Sequence, residues 1–281
     1  MSTTRKKQSF RSYFSVTGWI GLSMTLPVLL IALIGPLVTP QNPDDLLGLP
    51  FGAPQPGALF GFDSYGRDSF SRFLAGGRYS LVIAIIGYIV GASLGLTLGL
   101  LAAYSRGWVD AALAWTSEVL IGFPALVLML LLVAGLGTSF WVLVVALASV
   151  NVPRILRIVR ASGREVRDAA YVEVAEARGE PRRYIMFKEI FPSVLPAFLV
   201  DAGVRIPASI LLVASLSFLG LGIQPPASDW GLIISENRVA LTVQPLAVMG
   251  PIVALALLMI GMNLALDGFK GNKSSYRRDI S

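Results

Sequence analysis

The chain of 281 residues contains neither cysteine nor histidine. Without cysteine it cannot form a disulfide or a thiolate metal site. Without histidine it lacks the commonest general base, the commonest metal ligand and the group that activates a serine or cysteine nucleophile. Charged residues are also scarce, at 14% of the chain, and the carboxylates show no pairing suited to acid–base catalysis. These absences predict that the protein is not an enzyme and holds no metal.

A phosphate-binding loop is also absent from the sequence. The stretch from Gly268 to Ser274 contains two glycines and a Lys-Ser pair, which gives it a superficial similarity to such a loop. Its spacing does not match the G-x-x-x-x-G-K-[ST] pattern, however, and no strand pattern precedes it. We therefore expect this chain to bind no ATP and no other cofactor by itself.

Hydrophobic residues make up 54% of the sequence, and the mean hydropathy is +0.70. Both values are too high for an ordinary soluble domain. Long apolar runs predict six transmembrane helices, near residues 20–38, 79–103, 112–134, 139–158, 196–221 and 245–266. The predicted fold class is an all-α polytopic membrane protein.

Lysine and arginine are unevenly distributed over the segments between these runs. Residues 154–192 contain nine of them against six acids. The segment before the first run contains Arg5, Lys6, Lys7 and Arg11, and the turn after the second run contains Arg106. The tail contains Lys270, Lys273, Arg277 and Arg278. The segments on the opposite side of the membrane contain Arg67, Arg72, Arg78 and Arg238. Because basic residues mark the cytoplasmic side, both termini are expected inside. The net charge of +6 suits binding to anionic lipid headgroups better than binding to nucleic acid, since the basic residues cluster beside apolar spans.

These spans divide the chain into five segments. The predicted segments are a cytoplasmic N-terminal stretch at 1–19, the first transmembrane helix at 20–38, an extracytoplasmic loop at 39–78, a transmembrane core at 79–266 that includes a loop at 154–192, and a cytoplasmic basic tail at 267–281. In the extracytoplasmic loop, the spacing of Phe70, Phe73 and Leu74 predicts a short amphipathic helix lying on the membrane.

Asp201, Arg205 and Glu118 are charged residues within the predicted spans. Asp201 and Arg205 are four residues apart, so one helical turn would bring them together as an ion pair. Glu118 lies near the start of its span, where its side chain could reach the membrane surface. We interpret all three as structural, and a place along a polar pathway through the membrane remains the alternative.

Glycines recur every four residues in the second run, at Gly87, Gly91, Gly95 and Gly99. This spacing places them along one stripe of a helix. A stripe without side chains lets another helix approach closely, so it predicts tight helix packing rather than chemistry.

A charged stretch from Tyr171 to Pro192 interrupts the apolar runs. Helix formers fill it as far as Arg178, Gly179 can end that helix, and Pro181 can open a second one. The second helix has an apolar side formed by Ile185, Ile190 and Phe191. A short helix held at a membrane surface suits a groove on a soluble partner.

This stretch resembles the EAA loop of ABC importer permeases, whose pattern is Glu-Ala-Ala, three residues, Gly, and later a hydrophobic-Pro step. The matching residues are Glu173, Ala175, Gly179 and Pro192, with Val174 in place of the second one. The stretch at residues 61–81 resembles the Gly-Thr-Asp-x-x-Gly-Arg-Asp signature of C-type permease subunits in peptide and nickel importers. Its matches are Asp63, Gly66, Arg67, Asp68 and Arg72, with Phe62 replacing Thr, and residues 214–231 also resemble these subunits.

The resemblance covers about residues 61–270 and implies the ABC type I importer permease fold, with a cytoplasmic coupling helix. It implies a plasma-membrane subunit, bacterial or archaeal, that forms half of a pathway for dipeptides or oligopeptides. The implied partners are a homologous B-type permease, two cytoplasmic P-loop ATPases that bind ATP and Mg, and an extracytoplasmic substrate-binding protein. The residues implied to couple to the ATPases are Tyr171, Glu173, Ala175, Arg178, Gly179 and Pro192.

Other functions remain open at this point. Subunits of this kind also serve importers of nickel or other small solutes. A secondary transporter working without ATPases would require inverted repeats and broken, polar spans at the midplane, and the sequence shows no clear repeat. A membrane scaffold without a transport role would leave the charged loop unexplained.

Overall fold

The computed structural model describes residues 15–105 and 107–278, with side chains described as far as Gly268. The basic residues predicted to lie inside at Arg5, Lys6, Lys7, Arg11 and Arg106 fall outside these described residues, as do the side chains of the basic tail. The helices in the described ranges are α1 Val16–Ile34, α2 Ser69–Tyr104, α3 Trp108–Gly122, α4 Ala125–Leu136, α5 Phe140–Arg167, α6 Ala170–Ala177, α7 Arg182–Tyr184, α8 Phe191–Phe218, α9 Trp230–Glu236, α10 Ala240–Val243 and α11 Leu246–Arg278.

Helices dominate the described residues, which contain isolated bridges but no strand. Five of the helical stretches are long and apolar enough to cross a membrane: Val16–Leu37, Ser69–Tyr104, Phe140–Arg167, Arg182–Phe218 and Leu246–Gly268. The count rises to six when α3 and α4 are taken together as one broken span. The predicted all-α polytopic fold is confirmed.

The prediction of a separate amphipathic helix before the second span is wrong. α2 begins at Ser69 and continues without interruption to Tyr104, so Phe73 and Leu74 belong to its first turns and are buried in the protein. The helix begins there because the Asp68 carboxylate accepts a hydrogen bond from the Ser71 backbone N–H at 2.9 Å. Such an N-cap satisfies one of the free N–H groups of the first turn.

The third span is not the straight helix predicted for residues 112–134. α3 and α4 meet at an angle of 92°. Pro124 disfavours helical geometry in the residue before it, and Phe123 is extended, with φ −80° and ψ 136°. Both halves are apolar, so hydropathy alone does not reveal the bend.

Apolar runs alone predict other spans that are too short, because the helices continue through charged residues. The fourth span extends beyond residue 158 to Arg167, and the sixth extends beyond 266 to Arg278. The fifth begins earlier than residue 196, because α7 leads through a π-helical turn, Ile185–Ile190, directly into α8. The first begins at Val16 rather than Ile20.

The glycine stripe of α2 packs closely against another helix, as predicted, and that helix is α5. The two helices run in parallel, and Gly87, Gly91, Gly95 and Gly99 face successive turns of α5 from Leu147 to Val159. A Cβ atom added at Gly95 would lie 2.9 Å from both the Ile155 Cβ and the Val152 carbonyl oxygen. The absence of side chains therefore sets how closely these two helices pack.

The first and last spans also pack through small residues. Gly18, Gly21 and Thr25 of α1 lie against Gly268, Ala265 and Gly261 of α11, and the two helices run antiparallel. The start of α1 and the later part of α11 therefore lie on one side of the helix bundle, the side that also carries α6. We refer to it as the α6 side and to the opposite one as the cap side.

Candidate functional site

The inner face of α6 is packed against the ends of the membrane helices. Val172 and Ala175 are buried, in a hydrophobic cluster that includes Leu100 of α2, Val159 of α5 and the π-helical turn. Buried partners in this turn are Ile185, Met186 and Ile190. α6 packs on the π-helical turn, and this turn in its own right contacts α2, α5 and α8, so the turn links α6 to all three helices.

The outer face of α6 is exposed and mixes apolar with charged side chains. Val174 is 55% exposed and Tyr171 44% exposed. Glu173 and Arg178 are exposed beside them. The Tyr171 hydroxyl lies 3.3 Å from the Ser193 Oγ at the start of α8. This face offers a surface of about two turns of helix to another molecule.

Gly179 ends α6 in the way the sequence predicts. Its φ is +75°, in the left-handed region that favours glycine. The Gly179 N–H donates to the Glu176 carbonyl at 2.9 Å, and the Glu180 N–H donates to the Ala175 carbonyl at 3.2 Å. This pair of bonds is a Schellman motif, which satisfies the last carbonyls of a helix and reverses the chain.

The six residues predicted for the coupling surface do not all face the same way. Tyr171, Glu173, Arg178 and Gly179 share the exposed surface of α6 and its C-terminal turn. Pro192 is exposed in the first turn of α8. Ala175 points inward and is fully buried, so it packs α6 against the membrane helices instead of facing a partner.

The predicted ion pair in the fifth span is confirmed. The Arg205 Nε donates to the Asp201 Oδ2 at 2.5 Å, and both side chains are largely buried. Glu118, the other acid predicted to lie in a span, is exposed on α3. The structure thus pairs two of these charges within one helix, as a four-residue spacing allows.

A second ion cluster, which the sequence did not predict, ties α3 to α5 on the α6 side. The Arg160 guanidinium holds both carboxylate oxygens of Asp110, at 2.5 Å to Oδ1 and 3.0 Å to Oδ2. Arg164 also donates to Asp110. The sequence contains a lone acid in the first turn of α3 and two arginines spaced one helical turn apart on α5. The pairing itself spans 50 residues and has no sequence pattern.

The family signature at residues 63–72 builds a tight loop on the cap side. The Asp63 carboxylate accepts from the backbone N–H groups of Tyr65 at 2.8 Å and Arg67 at 2.9 Å, and from the Arg67 Nε at 2.7 Å. Gly66 has φ +82°, and an added Cβ would collide with the Gly48 carbonyl oxygen. The acid and the glycine of the signature are therefore required by backbone geometry.

Both arginines of that signature bind a glutamate that sequence reasoning missed. Glu236, at the end of α9, accepts from Arg67 Nη2 at 2.9 Å and from Arg72 Nη2 at 3.2 Å. Arg72 also contacts Asp63 at 3.3 Å, and both of these side chains are 1% exposed. The four side chains form a charge-balanced buried network. Burial raises the pKa of the Glu236 carboxyl, and the charge of Arg67 opposes that shift.

Hydrogen bonds from the segment between the fifth and sixth spans complete the cap, which we define as residues 39–68 and 222–245. The Asn237 Oδ1 accepts from the Ser64 N–H at 2.8 Å, and the Gln244 Nε2 donates to the Phe60 carbonyl at 2.9 Å. Asp229 is buried, caps α9 and accepts from the Ser80 hydroxyl. Its burial raises the pKa of the Asp229 carboxyl.

The third resembling stretch, residues 214–231, contributes Trp230 to the same region. Its Nε1 donates to the Phe73 carbonyl at 2.9 Å, and its ring stacks on the Phe73 ring with centroids 5.9 Å apart. The two extramembrane signatures therefore meet in space. Both serve to anchor the cap to the start of α2.

Comparison with known proteins identifies the family. Binding-protein-dependent transport system inner membrane components match residues 95–272. The chain is 39% identical over 210 residues to the glutathione transport system permease protein GsiD of Pectobacterium atrosepticum, covering 75% of this chain and 70% of that one. The chain belongs to the family of binding-protein-dependent transport system inner membrane components. This permease is also 33% identical over 256 residues to the dipeptide transport system permease protein DppC of Alkalihalophilus pseudofirmus, covering 89% and 83% of the two chains.

Solved structures show the same fold. Two crystal forms of the inward-facing MetNI methionine ABC transporter match this permease with TM-scores of 0.54 and 0.52, at 19% and 17% sequence identity. The matches cover 67% and 70% of this chain and 90% and 96% of the other chains. The resemblance to ABC importer permeases is confirmed, and a secondary transporter is not favoured. Among the residues that the structure describes, no cluster of acidic side chains could hold a metal ion.

Proposed function

We propose that this permease forms half of the translocation pathway of an ATP-driven peptide importer. The substrate class is suggested by the relatives, since glutathione and dipeptides are both short peptides. No observation on this chain favours nickel or another small solute. ATP and Mg would be bound by partner subunits, because this sequence has no phosphate-binding loop.

The proposed assembly contains a homologous B-type permease, two cytoplasmic P-loop ATPases and an extracytoplasmic substrate-binding protein. The α6 side would be cytoplasmic, with both termini inside. This orientation is supported by the nine basic residues at 154–192, because arginine and lysine concentrate on the cytoplasmic side. The cap would face the substrate-binding protein.

The observation that carries the coupling proposal is that α6 is buried on its inner face and exposed on its outer face. Its outer face would enter a groove of an ATPase, with Tyr171 and Val174 as apolar contacts and Glu173 as a charged one. Its inner face shares a core with α2, α5 and α8. Displacement of α6 would therefore tilt these three spans together and alternate access to a central cavity. Such coupling requires that the two ATPase states bind α6 with different free energies.

Gentle detergent purification of the tagged chain, followed by mass spectrometry, tests this assembly. We expect two P-loop ATPases and a second six-span protein to co-purify.

A Glu173→Lys variant should recover less ATPase, because the charge of the proposed contact is reversed. Glu165→Lys is the matched control, since Glu165 is also an exposed acid near the end of α5. An intact, folded chain that purifies alone would contradict the proposal and return a secondary transporter to consideration.

A further inference from the structure

We propose that Arg154, Arg157 and Arg205 form a cationic site within the membrane that binds a carboxylate of the peptide in transit. Arg154 and Arg157 belong to α5, and Arg205 belongs to α8. The inference rests on the proposed peptide-import function and names the part of this chain that would contact the substrate. The site is separate from the outer face of α6 and from the cap.

A hydrogen bond between two buried side chains sets the register of α5 against α8. The Asn151 Nδ2 donates to the Ser209 Oγ at 3.2 Å, and both residues are almost fully buried. The two helices run antiparallel, because α5 ends and α8 begins at the cluster that holds α6. One turn nearer the α6 side, the same register brings Arg154 level with Arg205. The positive charges of Arg205 and Arg157 both act on Arg154.

Arg154 and Arg157 lie on the face of α5 between α3 and α8, and α2 packs against the opposite face. Asn151 faces α8, and Arg160 faces α3, where it binds Asp110. Arg154 and Arg157 fall between these two at three-residue steps, each of which turns a side chain by about 60° around the helix. Arg157 is exposed there, and Arg154 is partly exposed. Both side chains are therefore accessible to a solute.

This cluster contains more positive than negative charge. Asp201 is paired with Arg205 at 2.5 Å, within one helix. Neither Arg154 nor Arg157 forms an ion pair in the part of the chain that the structure describes. Three arginines therefore share one acid. Counting Glu118, the other acid predicted to lie in a span, still leaves one positive charge in excess.

The depth of Arg154 and Arg205 makes their charges costly without a partner. Each lies at the middle of a helix of 28 residues, about 20 Å from either end at 1.5 Å per residue. Such a helix exceeds the hydrocarbon layer of roughly 30 Å by about 12 Å, so its middle lies within that layer at whatever height the helix crosses. Ionisable side chains at this depth face the bundle interior or a water-filled path, and they mark substrate pathways.

A carboxylate is the ligand that this arrangement suits best. Every linear peptide carries one at its C-terminus, and moving it through a medium of low dielectric constant is costly unless a cation accompanies it. A guanidinium binds both oxygens of a carboxylate through parallel N–H donors. Because Arg157 is exposed and Arg154 partly so, the contact is weaker than a fully buried ion pair, which allows the peptide to leave.

Uptake of three peptides by the complete importer in reconstituted vesicles tests this site. The peptides are alanyl-glutamate, alanyl-alanine and alanyl-lysine. For each peptide the uptake rate of a variant is divided by that of the wild type, which removes the preference of the binding protein. Arg154→Gln should lower uptake of alanyl-glutamate about tenfold and that of alanyl-lysine less than about twofold. The difference arises because glutamate adds a carboxylate, whereas the lysine ammonium is repelled by the same arginines.

Two further variants control for charge and position. Arg154→Lys should retain part of the alanyl-glutamate uptake, because the positive charge remains. Arg238→Gln removes an exposed arginine from the cap instead. It should leave the selectivity among the three peptides unchanged.

An equal loss for all three peptides in Arg154→Gln overturns the proposal and assigns Arg154 to an ion pair with the second permease. Should Arg154→Gln fail to insert, Arg157→Gln decides by the same criterion, since Arg157 is exposed on α5. Wild-type uptake with unchanged selectivity in the variants contradicts this site alone. A wild-type importer that takes up none of the peptides with ATP contradicts the proposed function itself, and the site with it.

Discussion

Replacing Gly179 by valine is expected to lower dipeptide uptake about tenfold while membrane insertion and ATP hydrolysis persist. The backbone of Gly179 has φ +75°, which a β-branched residue adopts only with strain. No atom lies within 4 Å of an added Cβ, so the cost comes from the backbone and not from a collision. Relief of that strain would turn α6 away from α8 and disturb its outer face. Uptake and ATPase activity in reconstituted vesicles provide the two readouts.

Two further variants separate this effect from a general loss of stability. Gly179→Asn should retain most uptake, because asparagine tolerates the left-handed region better than valine. Gly137→Val introduces the same residue at φ +90°, also in open space, but between α4 and α5 on the cap side. It should not uncouple ATP hydrolysis from uptake. Unchanged uptake in Gly179→Val, or equal uncoupling in Gly137→Val, would contradict the role given to the end of α6.

Asp63→Asn is expected to destabilise the protein by about 3–5 kcal/mol, the usual cost of removing one partner from a buried ion pair. The substitution would leave Arg67 and Arg72 buried, with Glu236 as their remaining acid. It would also weaken the acceptor for two backbone N–H groups of the loop. The thermal unfolding midpoint of the purified protein should fall clearly.

Asp45→Asn is the matched control for this prediction. Asp45 is exposed in the same loop, where its carboxylate accepts a hydrogen bond from Asn42 at 2.9 Å. Exposed interactions of this kind contribute little, so we expect a change below about 0.5 kcal/mol. If the unfolding midpoints of the two variants are the same, the buried network does not stabilise the cap.

The features that the sequence predicted correctly are local. The glycine stripe of α2, the left-handed Gly179 and the Asp201–Arg205 pair all depend on residues within a few positions of one another. Helical spacing converts such patterns directly into faces, turns and contacts. The apolar runs likewise located the spans, because a bilayer requires a nearly fixed length of apolar helix.

The features that the sequence missed depend on distant contacts or on backbone direction. The signature at Asp63 and Arg67 was recognised, but its acceptor Glu236 lies 169 residues beyond Arg67. Nothing in a single sequence indicates which acid closes such a network. The bend before Pro124 was missed because both α3 and α4 are apolar, and the inward direction of Ala175 was missed because the pattern gave no orientation for α6.

The cap and α6 lie at opposite ends of α2 and α5. A buried ion network and side-chain hydrogen bonds hold the cap together. In contrast, apolar packing holds α6 to the membrane helices, and a glycine turn ends it. Apolar packing lacks directional bonds, so α6 can shift with the spans it contacts. We therefore expect motion to enter this permease at the α6 side and the cap to respond as a unit.

The proposed contact between α6 and an ATPase is tested most directly by single-cysteine cross-linking. The chain contains no native cysteine, so an introduced thiol is the only one in it. Val174→Cys places a thiol on the exposed face of α6, and Tyr65→Cys places one of similar exposure on the cap. With the co-purified complex and a short thiol-to-amine cross-linker, Val174→Cys should join to an ATPase subunit and Tyr65→Cys should not. Absence of that product while the ATPases are present, or the same product from Tyr65→Cys, would contradict the coupling role of α6.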